Sequence, residues 1–279
     1  MTLQIKKLGK YVGAEITGID LRQPQDMKIK TAINKALSDH VAIVVRGQNF
    51  TPQEYVEAAK VLGDPFPQNF TDYNHPDVEI INIVSNQHRD DEGKRIKRGG
   101  NWHTDHTNHE CPPKFTVLYA VDVPRHGGNT AICNMQKAYE HLPDYLKEKI
   151  EGRETVNVNQ GRAAARISPK AVKRENEQKS TPINHPIIRT HPENHRKAIF
   201  FHPIKTDYLT GYTPEETKNL FADILMEGIK EEFVYNHQWS DGDMLVWDNR
   251  QAMHRAIHDY DPKEQRQMYR LLIRGDRPF

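Results

Sequence analysis

The chain has 279 residues, 36 % hydrophobic and 28 % charged, which is enough apolar material for a full core in one large domain or two small ones. Its net charge is +1 with acids and bases interspersed, which argues against a basic face for nucleic acid or an anionic membrane surface. The opening MTLQIKKLGKYVGAEI alternates where a secretory signal would run apolar, and no stretch approaches the roughly 18 apolar residues of a membrane span. A cytoplasmic globular protein is expected. The two cysteines, Cys111 and Cys133, form no CxxC pair and fit a reduced compartment, with a Cys111–Cys133 disulfide as the alternative.

In chain order, Ile29, Ile33 and Leu37 share one face of a helix, with Ala32 and Ala36 beside them. A strand-like run follows at 41–47 (VAIVVRG). Thr51-Pro52-Gln53-Glu54 then places Thr at an N-cap, Pro at N1 and an acid at N3. Further strand-like runs occupy 79–84, 115–121 and 129–133, bounded by Gly, Pro, Asn or Asp. A helix is predicted from Met135 to about Ile150, bent near Pro143. Residues 157–186 are polar, charged and poor in aromatics, and read either as a solvated surface insertion or as a lid over a site. Strands resume at 197–201, 243–247 and 267–275. Between them Thr213-Pro214-Glu215-Glu216 opens a helix whose apolar face is Leu220, Phe221, Ile224, Leu225 and Ile229. Strands and helices do not alternate regularly, which argues against a doubly wound sheet. The pattern predicts a single domain over 1–279, mainly β with helical decoration, as an antiparallel sandwich or jelly roll.

The unusual count is histidine, 15 residues, three of them in NWHTDHTNH (101–109). On a strand, His-x-Asp puts both side chains on one face, and two such ligands plus a distant histidine make a facial triad for Fe(II). In a chain this rich in both residues about one His-x-Asp is expected by chance. His75-Pro76-Asp77 and His191-Pro192-Glu193 are Pro-centred and read as turns. His103-Thr104-Asp105 follows Trp102 and precedes a strand, which singles it out. His106 and His109 are weaker ligand candidates. The third ligand should come from a late strand, where His254 and His258 follow the apolar run DMLVW. Arg266 and Arg270, four apart, share a strand face. If buried they want anionic partners; on composition alone, exposure or pairing with Asp or Glu is the commoner outcome.

WHTD (102–105), the Gly127-Gly128-Asn129-Thr130 turn, WDNR-x3-HRA (247–256) and R-x-M-Y-R (266–270), in this order, resemble the taurine dioxygenase family of Fe(II)- and 2-oxoglutarate-dependent oxygenases. That family also includes phenoxyacetate and alkyl-sulfate dioxygenases. The resemblance runs from GAEITGIDL (13–21) to RGDRPF (274–279) and implies a double-stranded β-helix, or jelly roll. It implies His103, Asp105 and His254 as iron ligands, Thr130 and Arg266 as the holders of the distal carboxylate of 2-oxoglutarate, and Arg270 as the arginine for the acidic group of the primary substrate. Trp247 matches a tryptophan near the iron and reads equally well as core packing. With O2, the implied reaction hydroxylates a small anionic substrate and yields succinate and CO2. Relatives are commonly dimers or tetramers, so a homo-oligomer is implied.

The substrate half departs from the taurine enzymes. Gly99 stands where they carry an asparagine, Gln68 and Thr71 where they carry a His/Tyr pair, and His106 where they have an apolar residue. One extra residue lies near His258. Arg270, His106, Gln68 and Arg162 are the candidate substrate contacts, and His109 is expected at the surface. Two other readings stay open: a jelly-roll metalloenzyme that does not use 2-oxoglutarate, and a non-enzymatic module that binds a small acid.

Overall fold

Strands with unbroken apolar runs are buried on both faces, and they form the centre of the molecule. In the computed structural model, which describes residues 3–68, 72–90, 92–164, 172 and 180–279, Met244–Asp248 and Thr130–Asn134 are buried at every position. Strands covered on one side only would alternate. Among the described residues the larger sheet has eight strands. Its order is Gln4–Lys7, Ala14–Thr17, Ala42–Val45, Met244–Asp248, Phe115–Asp122, Gln267–Ile273 and Pro65–Phe66, with Asn82–Ser85 also paired to Gln267–Ile273. All its pairings are antiparallel except that between Ala14–Thr17 and Ala42–Val45.

A smaller sheet packs against it, with Thr130–Asn134 between Val234–His237 and Ala252–Ala256. Leu118, Leu245, Trp247 and Met268 from the larger sheet meet Ile132 and Ala252 from the smaller one in a common buried cluster. Helices cover the outer faces. Ile33 and Leu37 from Met27–His40 and Tyr55 from Pro52–Ala59 pack on Val117, Val246 and Leu271. Leu220, Phe221 and Ile224 from Pro214–Gly228 cover Cys133 and Met253. The result is the helix-decorated antiparallel sandwich that the pattern predicts.

Local signals act as expected. Thr51 and Thr213 each complete a reciprocal capping box, with Glu54 and Glu216. The helix beginning at Met135 is split into Met135–His141 and Asp144–Ile150. Leu142 is extended between them (ψ 136°), because proline disfavours the helical conformation of the residue before it. Cys133 is buried in its strand and Cys111 is exposed; both are free, which removes the disulfide alternative. The 157–186 segment leaves from Glu154–Asn157 and returns as Ile183–Pro186, paired with it (Asn157 opposite Ile183). Its residues 165–171 and 173–179, on which the lid reading falls, lie outside the described residues.

Replacing Thr213 by Ala removes the oxygen that accepts from Glu216 N. It should lower stability by about 1 kcal/mol, read as a shifted midpoint at unchanged slope in urea unfolding.

Candidate active site

The candidate site is built on one pair of backbone hydrogen bonds. His103 N donates to His254 O at 3.1 Å and His254 N donates to His103 O at 2.9 Å. Residues that exchange both bonds project their side chains to one face of a ladder, and the two rings lie with centroids 4.2 Å apart. His254 belongs to the strand Ala252–Ala256. His103 is an isolated bridge residue, and Asp105 opens a turn. The expected His-x-Asp strand is thus corrected to a bridge followed by a turn, because a single partner residue sustains the ladder there. Even so, the carboxylate oxygens of Asp105 lie 3.8 Å from both His103 Nε2 and His254 Nε2. Among the described residues this is the one group of three such side chains whose ligand atoms all lie within 4.8 Å of one another.

Surrounding bonds fix the orientation of each member. His103 Nδ1 lies 2.7 Å from Asn101 O, which can only accept, so the ring proton sits on Nδ1 and Nε2 presents its lone pair. A relay stands behind Asp105. Trp247 Nε1 donates to Asn249 Oδ1 (3.1 Å), Asn249 Nδ2 to Thr116 Oγ1 (2.8 Å), and Thr116 Oγ1 to Asp105 Oδ2 (2.7 Å). Trp247 also lies 4.3 Å from the His254 ring while packing between the sheets.

Burial favours an uncharged Asp105, but His254, Arg270 and His103 outweigh it and hold the carboxyl far below its ordinary range. Burial, with His103 adding to it, pushes the His254 imidazole down to about 3. An ionised carboxylate and a neutral His254 imidazole therefore meet His103 Nε2 at one point. No proton is shared among the three, and His254 Nδ1 is buried without a partner. A divalent transition metal fits this donor set, which leaves further coordination positions open.

Beside the triad, Thr130 sits in register with Ala256, two residues beyond the Ile132–His254 pair and on the same face. Its hydroxyl accepts from Trp239 Nε1 at 3.1 Å and from Arg266 Nη2 at 3.4 Å. Both lone pairs are then taken, which leaves the O–H as a donor. Arg266 Nε donates to Gly128 O at 2.8 Å. Gly128 has φ +67°, and a Cβ there would sit 3.3 Å from Arg266, so glycine lets the arginine lie against the turn. Arg266 is buried and, among the described residues, pairs with no carboxylate. Burial lowers its pKa to about 10, the mark of a guanidinium lacking an anion.

The candidate substrate residues divide. Arg270 Nη2 donates to Gln68 Oε1, Gln68 Nε2 donates to Arg270 O at 3.4 Å, and Arg270 Nε is buried without a partner. His106 is buried next to Asp105 in a left-handed conformation (φ 51°), which is costly for histidine and therefore held by its surroundings. Arg162 is not drawn in. Its guanidinium forks onto Asp207 and its side chain is 67 % exposed, so that carboxylate already satisfies it. His109 is half-buried, not at the surface: its ring lies 4.9 Å from His106 and burial lowers it to about 4. Thr71 lies outside the described residues.

His258 Nε2 bonds Arg98 O (3.1 Å), away from the triad. In the lookalikes, Asp77 N donates to His75 Nδ1, and His191 Nε2 donates to Asp248 Oδ2 (3.0 Å), both structural roles. Sequence reasoning missed Thr116, Asn249, Trp239 and His202, whose ring lies 5.1 Å from His103. Thr116 carries a faint signal as a polar residue inside FTVLYAV; His202, in AIFFHP, carries none.

Thr116→Val should weaken binding of Fe(II) or Mn(II) by about tenfold through the loosened Asp105, measured by metal titration under nitrogen. Burial lowers His106, His109, His202 and His254. The unfolded chain takes up protons near pH 6.5 that the folded chain refuses, so the metal-free protein loses stability as pH falls from about 6.5 to 4. Thermal melts at pH 7.5 and pH 5 should show the lower midpoint at pH 5, and His109→Asn should narrow the gap.

Comparison with known proteins identifies the family. Residues 4–272 match the family model described as taurine catabolism dioxygenase TauD, TfdA family. The chain is 30 % identical over 283 residues to an alkylsulfatase of Acinetobacter baylyi, covering 98 % of this chain and 86 % of that one. It is 30 % identical over 286 residues to an alpha-ketoglutarate-dependent sulfate ester dioxygenase of Pseudomonas putida, covering 100 % and 91 %. Its fold superposes on AAD-2, solved with Mn(II) and N-oxalylglycine, with a TM-score of 0.81 and 26 % identity over 100 % of this chain and 99 % of that one. This chain belongs to the TauD/TfdA family of dioxygenases.

Proposed function

We propose that the chain is a non-haem Fe(II)- and 2-oxoglutarate-dependent dioxygenase that hydroxylates a small anionic substrate. Three relatives bear on the substrate class: a sulfate ester dioxygenase, an alkylsulfatase and a 2,4-dichlorophenoxyacetate dioxygenase. The observation that carries the residue assignment is the combination of the His103–Asp105–His254 cluster with a buried Arg266 that pairs with no carboxylate among the described residues and is joined to Thr130.

In this reading His103 Nε2, Asp105 and His254 Nε2 hold the iron, and Thr130 and Arg266 hold the distal carboxylate of 2-oxoglutarate. The free Thr130 O–H and the buried guanidinium supply the hydroxyl donor and the charge-assisted bond that a desolvated carboxylate needs. When bound, Fe(II) with 2-oxoglutarate and O2 supplies the oxidant for C–H hydroxylation, and succinate and CO2 are the coproducts. The chain's own part is to bind, orient and exclude water. Gln68 anchors Arg270, whose unpartnered Nε meets the acidic group of the substrate, and His106 closes the same side of the pocket. A homo-oligomer, dimer or tetramer, working in the cytoplasm completes the reading. Among the described residues no helix is long and apolar enough to cross a membrane.

Anaerobic addition of Fe(II) and 2-oxoglutarate should produce a weak visible charge-transfer band, and admitting O2 should release succinate. His103→Ala should abolish the band. Arg266→Ala should raise the 2-oxoglutarate concentration for half-saturation by about 10- to 100-fold, while an unchanged value would favour a metalloenzyme that does not use 2-oxoglutarate.

A further inference from the structure

His202 follows the strand Lys197–Ile199 and begins a turn in which Lys205 N and Thr206 N both donate to its carbonyl, at 3.1 and 3.0 Å. Its Nδ1 accepts from Ile204 N at 3.1 Å. That bond fixes the tautomer: a neutral ring whose Nδ1 accepts carries its proton on Nε2. The residue is 8 % exposed, and its ring is 5.1 Å from that of His103. Among the described residues no acceptor meets Nε2–H, and His202 is not part of the three-residue ligand cluster. Nε2–H is not among the buried groups without a partner, so it opens to solvent from an otherwise buried ring and is free to donate to a bound molecule.

The position of the ring selects which molecule that is. Thr130 and Arg266 lie on the His254 flank, where the strand Ala252–Ala256 pairs with Thr130–Asn134. His202 packs on the His103 side of the cluster, its ring 5.1 Å from that of His103, and the charged and titratable groups that act on it are His103, Lys205, Asp105 and His106. We propose that His202 is a positioning residue for the primary substrate, its Nε2–H donating to an acceptor oxygen of the substrate's oxyacid or ester group. Arg270 supplies the charge that attracts this group, and His202 supplies a directional neutral donor that sets how it lies against the metal. This rests on the function proposed above.

The test uses the Fe(II)- and 2-oxoglutarate-loaded protein without O2, with hexyl sulfate and phenoxyacetate as probes. The readouts are 2-oxoglutarate affinity from the charge-transfer band and probe Kd from the change in that band. His202→Phe should raise the Kd of whichever probe binds by about tenfold and leave 2-oxoglutarate affinity within about twofold. His202→Gln, which keeps an N–H at similar reach, should stay within about threefold of wild type. The proposal is overturned if neither probe perturbs the wild-type band, if His202→Phe binds probes like wild type, if 2-oxoglutarate affinity falls equally, or if Gln fails as Phe does. Absence of the band itself in the wild type would instead overturn the dioxygenase reading.

Discussion

Two reciprocal hydrogen bonds between His103 and His254 hold the candidate site together. They join residues 151 positions apart into one rung of ladder, and the geometry of that rung turns both imidazoles to the same face. The rung is possible because Ala252–Ala256 is already paired on its other edge with the buried strand Thr130–Asn134. Together with the Thr104 hydroxyl, which donates to Ala252 O at 3.0 Å, the rung holds the turn carrying Asp105 against His254. The sandwich core, the pairing of the smaller sheet and the convergence of three ligand atoms are thus successive consequences of the same packing.

Buried polar groups left without partners mark where ligands are wanted. Most deep polar residues here are satisfied internally: Arg250 forks onto Asp248, which also accepts from His191, and Asn157 bonds Thr155 and Thr206. Some are not, among them His185 Nδ1 and Arg189 Nε elsewhere in the fold and several groups around the triad. Among the described residues His254 Nδ1 and Arg270 Nε have no partner and Arg266 has no carboxylate, while Thr130 keeps a free hydroxyl proton. Folding tolerates such groups when a bound metal and acids complete them, and the stability they forgo in the empty protein is recovered on binding.

Legibility in the sequence followed the range of the interactions. The capping boxes at Thr51 and Thr213 and the break at Pro143 are local, and the sequence shows them directly. His103, Asp105, His254, Thr130 and Arg266 came from ordered motifs, and the structure brings them to one place. Hydrogen bonds between distant strands leave no periodic trace, so the Trp247–Asn249–Thr116 relay and the contact of Trp239 with Thr130 were invisible. Arg162 shows the opposite error: a basic residue in a polar segment resembled a substrate contact, whereas Asp207, 45 positions away, already satisfies it. His109 looked like surface because its neighbours are polar, yet the left-handed turn at His106 tucks it inward.

The central claim is that one face of this rung carries the metal and its flank at Thr130 carries the cosubstrate. A crystal structure of the protein with Mn(II) and N-oxalylglycine tests it most directly. The account predicts the ion on His103 Nε2, Asp105 and His254 Nε2, with the distal carboxylate of the analogue between Thr130 and Arg266. An ion bound elsewhere, or a distal carboxylate lying on Arg270, would contradict it.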